Sequence, residues 1–363
     1  MIYKCIILAA TFLASLGTVA QDKDKEISVL LEKVIADKTV AGVVAGYCVE
    51  GKIIGQSSAG YANIKTNEKF ELDTKVRMGS IAKPMTALAT MQLVEQGLID
   101  LDVPIQTYIP DYPTHSKTQI TVRHLLSHTS GIGGYKDASE SNTTINYPTL
   151  YDAIGSFKDR DLLFEPGTQY SYTTYGYTLI GLVIEKVSGI SFEEYMQKNI
   201  WDKAEMTNTG VEKFGIKMNN KSELYSRNNG KGKAKLAKEN NLSNRIPAGG
   251  FYTTLGDMLK FGNAVLNNIF VKESTLNLMR QHHSLEKENN AYGFGWFLYA
   301  SKPNEGNIIG HPGGQTGNTS FLFIVPNKKA VSAILANTSR AQSSIDPIAN
   351  ELLNLSLASS KNN

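Results

Sequence analysis

Ser80 and Lys83 are the residues whose types and spacing most directly suggest chemistry. They stand in Arg77-Met78-Gly79-Ser80-Ile81-Ala82-Lys83-Pro84, ahead of an apolar-periodic run from Met85 to Val94. Pro84 lacks an N–H and clashes with the carbonyl four residues back, so it fits only the first helical turn. The spacing therefore predicts a helix starting near Ser80. Lys83 follows three positions later on the same face, which sets an amine beside a hydroxyl. The first-turn N–H groups have no intrahelical acceptor, so the N–H of Ser80 can bind a developing oxyanion. Nucleophile, base and one oxyanion donor fit within four residues. A second Ser-x-x-Lys, Ser284 with Lys287, lies in a polar stretch with no apolar helix behind it and reads as coincidence.

A lysine near its ordinary pKa is a poor base. To act near neutral pH, Lys83 must fall by roughly three pH units, or about 4 kcal/mol, through burial and a neighbouring ionisable group. One source is the block Glu165 to Tyr177, where Tyr170, Tyr172, Tyr175 and Tyr177 crowd the approach to a helix. A tyrosine there can shuttle a proton between Ser80, Lys83 and a leaving group, while the others pack. A second segment, Gly310-His311-Pro312-Gly313-Gly314, falls between two late strands. Its glycines permit close approach of a substrate, and the Gly314 N–H can serve as a second oxyanion donor. The plainer reading is a tight turn with a surface histidine.

Other chemistries find little support. His124 and His128 are four apart on a predicted helix, but no glutamate sits between them in base position and no cysteine cluster accompanies them, so they read as structural. His282-His283 reads as helix-end capping. No phosphate loop or dinucleotide fingerprint occurs, and no cofactor is expected. A formal net charge of +3 over 363 residues does not ask for nucleic acid as a partner, and Lys231 to Lys238 reads as a solvated loop. Residues 1–20 have Lys4, an apolar run from Cys5 to about Leu16, and Thr18-Val19-Ala20, which reads as a signal peptide of an exported, periplasmic or extracellular protein. No stretch is long enough for a transmembrane segment. Once the leader is removed, Cys48 alone remains, in a predicted strand.

The elements that must hold these residues follow from periodicity. A helix is predicted over Glu26 to Lys38, then strands Val43 to Glu50 and Lys52 to Ser58 joined at Gly51. Between Val103 and Trp201 the signals are helical: Val122 to Leu126, Thr149 to Phe157, Tyr177 to Val187 and Phe192 to Asn199. Residues 212–245 read as a long polar loop with room for short strands. Helices return at Leu255 to Leu266 and Glu273 to His283, then strands at Tyr292 to Tyr299, Asn307 to Ile309, Thr319 to Val325 and Ala330 to Leu335, and a helix at Ser343 to Leu357. The expected fold is α/β (α+β): an antiparallel sheet built from both ends of the chain, residues 21–103 with 205–363, flanked by helices, with an all-helical subdomain inserted over 104–204.

In their order these segments are recognisable. The Ser-x-x-Lys stretch, Gly97 to Val103, Leu125-Leu126-Ser127-His128-Thr129-Ser130-Gly131-Ile132, Pro166-Gly167 to Tyr177, Ala248-Gly249-Gly250 and Gly310 to Gly314 together resemble the serine β-lactamase and penicillin-binding-protein superfamily. The resemblance is to its class C β-lactamase-like branch, which also holds esterases and D-amino-acid peptidases. The Tyr-Thr-Thr loop and the Lys-rich stretch look most like the mitochondrial β-lactamase-like serine protease and its bacterial relatives. The resemblance implies that Ser80 is acylated, that Lys83 is its base partner and that Tyr172 is the tyrosine of the family's Tyr-x-Asn motif. It further implies that His311, Pro312 and Gly313 occupy the Lys-Thr-Gly position, with Gly314 at the second oxyanion N–H.

Two departures bear on substrate. Thr174 replaces the motif's asparagine, and His311-Pro312 replaces Lys-Thr, removing a fixed charge and a hydroxyl that would hold a carboxylate. Such a bond is worth roughly 1.5 to 3 kcal/mol, so carboxylate-bearing β-lactams should be handled weakly. The expected function is that of an exported serine hydrolase of esterase or peptidase type acting on a small ester, amide or peptide. The alternatives are a D,D-carboxypeptidase or β-lactamase, and a non-catalytic scaffold of the same fold.

Overall fold

Two distant ends of the chain meet in one sheet. The computed structural model describes residues 22–284, 291–299 and 308–360; the expected leader, Lys287 of the second Ser-x-x-Lys and Asn307 lie outside them. The main sheet among the described residues has seven strands in the order Glu68–Lys69, Lys52–Asn63, Gly42–Val49, Ala330–Ala336, Asn318–Val325, Ile308–Gln315 and Phe297–Tyr299. Every pairing in it is antiparallel, and the seam between the chain ends pairs Val43 with Ala336 and Val49 with Ala330.

Both faces of the sheet are covered, as the strand sequences dictate. Val43, Ala45 and Tyr47 point with Ile334 and Ala336 to one side, where helices over 22–36 and Gln342–Ser359 bring Ile27, Leu31, Ile345 and Leu352. Val44, Cys48, Ala333 and Leu335 point the other way, onto Met258 and Phe261 of the helix Leu255–Leu266. On that side the helix Ala82–Glu95 is buried from Ala82 to Leu93, as a helix apolar on all faces must be. It shares its core with the helix Thr174–Ser188 through residues such as Leu88, Leu179 and Val183.

Several expectations change in detail. The Glu50-Gly51 turn has φ of 50° and 77°, the backbone of a two-residue hairpin, and the second strand runs on to Asn63. Residues 212–245 do hold short strands: Tyr225–Asn228 and Lys231–Leu236 form a hairpin around Asn229-Gly230, both at positive φ. That dipeptide is the turn signal which the lysine-rich composition obscured. Gly310 to Gly314 lie within the strand Ile308–Gln315 rather than in a turn between strands. Past Gly310 this strand has no outer neighbour among the described residues, the setting in which a sheet tolerates a proline such as Pro312. Phe297–Tyr299 is shorter than expected because Gly293 donates back to the Trp296 carbonyl at 2.9 Å and Gly295 sits at φ +81°. The helices Val122–Leu126 and Leu255–Leu266 have the expected bounds, whereas the one from Glu273 ends at Met279.

Candidate active site

Ser80 is not inside the α-helix but in a 3-10 turn, Gly79–Ile81, that feeds into the helix Ala82–Glu95. The turn is fixed from both directions. Upstream, Val76–Arg77 pairs with Phe251–Thr253, and Met78 donates to the Phe251 carbonyl at 3.1 Å. Gly79 has φ +58°, and a Cβ there would come within 2.6 Å of the Gly314 nitrogen. Only glycine lets the nucleophile turn and the Gly314 strand touch.

Arg77 locks this junction. Its guanidinium is buried, donating from Nε to Glu212 Oε1 at 2.9 Å and from NH1 to Asn240 Oδ1 at 2.6 Å and the Thr316 carbonyl at 2.9 Å. Lys221 reaches the other Glu212 oxygen at 3.0 Å. Burial alone would raise the Glu212 carboxyl, but the charges of Arg77 and Lys221 and their hydrogen bonds hold it below its usual range.

Lys83 is wholly buried, and its Nζ donates to Ser80 Oγ at 3.1 Å and to the Ala248 carbonyl at 3.0 Å. That carbonyl is held in place because Thr86 Oγ1, one helical turn beyond Lys83, bonds the Pro247 carbonyl at 2.6 Å. Burial first, and then the positive charge of Arg245, bring the Lys83 amine down from 10.5 to about 7. No carboxylate among the described residues acts against this. An amine that becomes neutral above about pH 7 and touches a hydroxyl can serve as its base.

Tyr172 covers the pair from above. Its ring centroid is 4.8 Å from Lys83 Nζ, and its hydroxyl interacts with Ser80. Desolvation pushes the phenol well above its ordinary range, against the opposing effect of Ser80, although the residue as a whole is 37% exposed. It is therefore a neutral hydroxyl able to donate, not a standing anion. The loop that carries it is pinned by His128, whose carbonyl accepts from Ser171 N–H at 2.9 Å and whose Nδ1 accepts from Thr173 N–H at 3.3 Å. His128 is wholly buried and packs 4.3 Å from the Tyr172 ring, centroid to centroid, so it builds the loop. His283 bonds the Leu278 carbonyl at 2.8 Å near a helix end. Among the described residues no three histidine, cysteine or acidic side chains gather as a metal site. The buried Cys48 thiol is pushed up to about 11 by desolvation, partly offset by the Val331 backbone, and is unreactive.

The remaining residues separate into two groups. Thr174 and Gly314 line a cleft of about 710 Å³ that opens on Ser80, with Thr174 sharing a hydrogen bond with Tyr135. The Gly314 and Ser80 N–H groups belong to the two segments that meet at Gly79. His311 and Gly313, expected to meet substrate, are not among the residues that line this cleft. His311 is wholly buried, Nδ1 facing the Pro312 carbonyl at 2.7 Å and Nε2 facing the Tyr292 hydroxyl at 3.2 Å. A carbonyl only accepts, so Nδ1 carries the proton and Nε2 accepts from Tyr292. Burial first, then the Lys83 charge, lower His311 to about 3, so it is neutral and supplies no charge. Gly313 is small because a Cβ would collide with Ser320 Oγ and the Met78 carbonyl.

Sequence reasoning missed Arg77, Tyr135, Tyr292 and Arg245. Arg77 opened the stretch that drew attention, but nothing in its neighbourhood signalled partners as distant as Glu212 and Asn240. Arg245 stands two residues before Pro247-Ala248-Gly249-Gly250, a position that could have flagged it, yet it carries no periodic signal.

Comparison with known proteins agrees with this geometry. Residues 27–353 match the family model described as Beta-lactamase. The human mitochondrial serine beta-lactamase-like protein LACTB is 27% identical, over 82% of this chain and 71% of its own length. The octameric penicillin-binding protein homologue from Pyrococcus abyssi superposes with a TM-score of 0.79 at 26% identity, over 92% of this chain and 77% of that one. The D-stereospecific amidohydrolase from Streptomyces sp. gives 0.74 at 26% identity, over 89% and 97%. With a matched model spanning nearly all of the described residues and this fold around a serine and lysine, the chain belongs to the beta-lactamase family and is a serine hydrolase of that superfamily.

Proposed function

We propose that this protein is an exported hydrolase of esterase or peptidase type that works through an acyl-enzyme on Ser80. The observation that carries the reading is the 3.1 Å contact between Ser80 Oγ and a buried Lys83 brought down to about 7. Neutral Lys83 accepts the Ser80 proton as Oγ attacks the substrate carbonyl. The oxyanion is held by the N–H groups of Ser80 and Gly314, one such donor being worth about 3 kcal/mol. Tyr172 passes a proton to the leaving group, and water then releases the acyl group by the reverse path. His311, neutral and buried, leaves the wall beside Gly314 without the fixed charge of a Lys-Thr-Gly motif, which supports esters or internal amides over β-lactams. Export rests on the leader-like residues 1–20; no helix among the described residues is long and apolar enough to cross a membrane.

A fluorophosphonate probe should label wild type at Ser80 and leave Ser80→Ala unlabelled; wild type that stays unlabelled would sink the proposal. A second reading, cleavage of D-configured amides, is favoured by the likeness to the D-stereospecific amidohydrolase. Matched D- and L-amino-acid p-nitroanilides, with nitrocefin alongside, separate the two.

A further inference from the structure

Arg245 is 5% exposed, yet it lines the cleft that holds Ser80. Nε donates to Asn244 Oδ1 at 2.8 Å, and NH2 to the Ser141 carbonyl at 2.7 Å and the Glu140 carbonyl at 3.5 Å. NH1 makes no hydrogen bond among the described residues. No carboxylate there forms an ion pair with Arg245. The Glu140 side chain, which acts on it from a distance, is itself bound by Arg160. The plane of the guanidinium is held 4.5 Å over the Tyr135 ring. A buried charge with no counter-ion is expensive unless something else compensates it. Arg77, the other buried arginine at this junction, has its carboxylate in Glu212.

The rim of the cleft adds Lys238 and Arg340, against the single acid Glu239. Arg340 spends its NH1 on Asn229 Oδ1 at 3.1 Å, outside any ion pair. A fixed, planar, desolvated fork at the floor, its NH1 still uncommitted, with excess positive charge at the mouth matches one kind of ligand, because a charge-assisted hydrogen bond from NH1 suits a carboxylate.

We propose that Arg245 is the anion subsite of this cleft and that the natural substrate carries a carboxylate which docks on it while its ester or amide carbonyl meets Ser80. This rests on the reading of Ser80 as the acylated nucleophile. It reverses the expectation drawn from His311-Pro312: the charge absent from that strand is provided by a different segment, before Ala248. The competing role is purely electrostatic, in which Arg245 only lowers Lys83 and touches no substrate.

Two pairs of esters separate these roles. One varies the acyl side, 4-nitrophenyl hemisuccinate against its methyl ester. The other varies the leaving side, the acetate of 3-hydroxybenzoate against the acetate of its methyl ester. Within each pair the effect of Arg245 on Lys83 cancels, so the ratio of kcat/KM, anionic over neutral, reports contact alone. Wild type should favour the anionic member of at least one pair by about tenfold or more. Arg245→Gln should remove that preference. Arg245→Lys keeps the charge near Lys83, and so the pH profile on the neutral ester, but loses the fork; its ratio should fall several-fold. Ser80 labelling counts competent sites, which separates an unfolded variant from an unselective one. Ratios that stay within twofold of wild type in both pairs, for both variants, would overturn the subsite while leaving the hydrolase reading intact. Wild type that is neither labelled nor active on the neutral esters would overturn that reading and the subsite with it.

Discussion

Replacing Lys83 by methionine should make the protein more stable relative to wild type in acid than in base, while abolishing activity. The amine is lowered from 10.5 to about 7 by burial and by Arg245, and the gap corresponds to about 5 kcal/mol. Below pH 7 Lys83 is protonated in both states, so the folded protein bears the whole penalty. Between about 7 and 10.5 the folded state holds a neutral amine and the unfolded state a charged one. Unfolding then takes up a proton, and raising the pH stabilises the fold by about 1.4 kcal/mol per pH unit. Methionine has no such dependence. Its loss of the bonds to Ser80 and Ala248 adds an offset that does not vary with pH. The nearby His311 and His128 stay neutral across this window, being held low by burial. Urea unfolding of both proteins at pH 6, 7, 8 and 9 should show a constant difference up to about 7, then a shift toward wild type of about 1.4 kcal/mol per unit. In parallel, wild-type kcat/KM on a neutral ester should rise with pH and level off above about 7. A stability difference that stays flat from pH 7 to 9 would refute a neutral buried Lys83, and with it the base.

Three further outcomes follow from the same site. Tyr172→Phe should lower kcat by about 10² to 10⁴, the range for a lost proton relay, with KM little changed; steady-state kinetics on an ester with a poor leaving group would read it. Gly313→Ala should destabilise by about 1–3 kcal/mol because the added methyl meets Ser320 Oγ and the Met78 carbonyl, seen as a lower urea midpoint together with fewer titratable Ser80 sites. Arg77→Met should cost about 3–5 kcal/mol, since Glu212 is then left buried with only Lys221. The double variant with Glu212→Gln should recover part of that loss in the same unfolding assay.

The parts legible in the sequence were those whose physics is local. Pro84 alone places Ser80 and Lys83 at a helix start, and alternating apolar residues give the strands that face two cores. The helix begins two residues later than expected, because Gly79 at positive φ inserts a 3-10 turn first. What was not legible was local sequence with a non-local cause. Gly310 and Gly313 can be read as a turn, yet they are glycines because the Leu322 carbonyl, Ser320 Oγ and the Met78 carbonyl pass too close for a side chain. His311 was assigned to the cleft from its place in a motif, while its burial depends on Tyr292 and the strand packing behind it. Arg245 was invisible for the same reason: its lack of a carboxylate partner is a property of the assembled fold.

The seam of the main sheet has a consequence for biosynthesis. Ala41 N–H is bonded to Thr338 Oγ1, a contact spanning 297 residues, and Gly314 abuts the turn that carries Ser80. A nascent chain emerging from the ribosome therefore holds its nucleophile long before it holds the strand that braces it. Contacts of such sequence separation form late and slowly. Hydrolytic competence should appear only after the C-terminal strands have been made, which would keep an unfinished chain inert during synthesis.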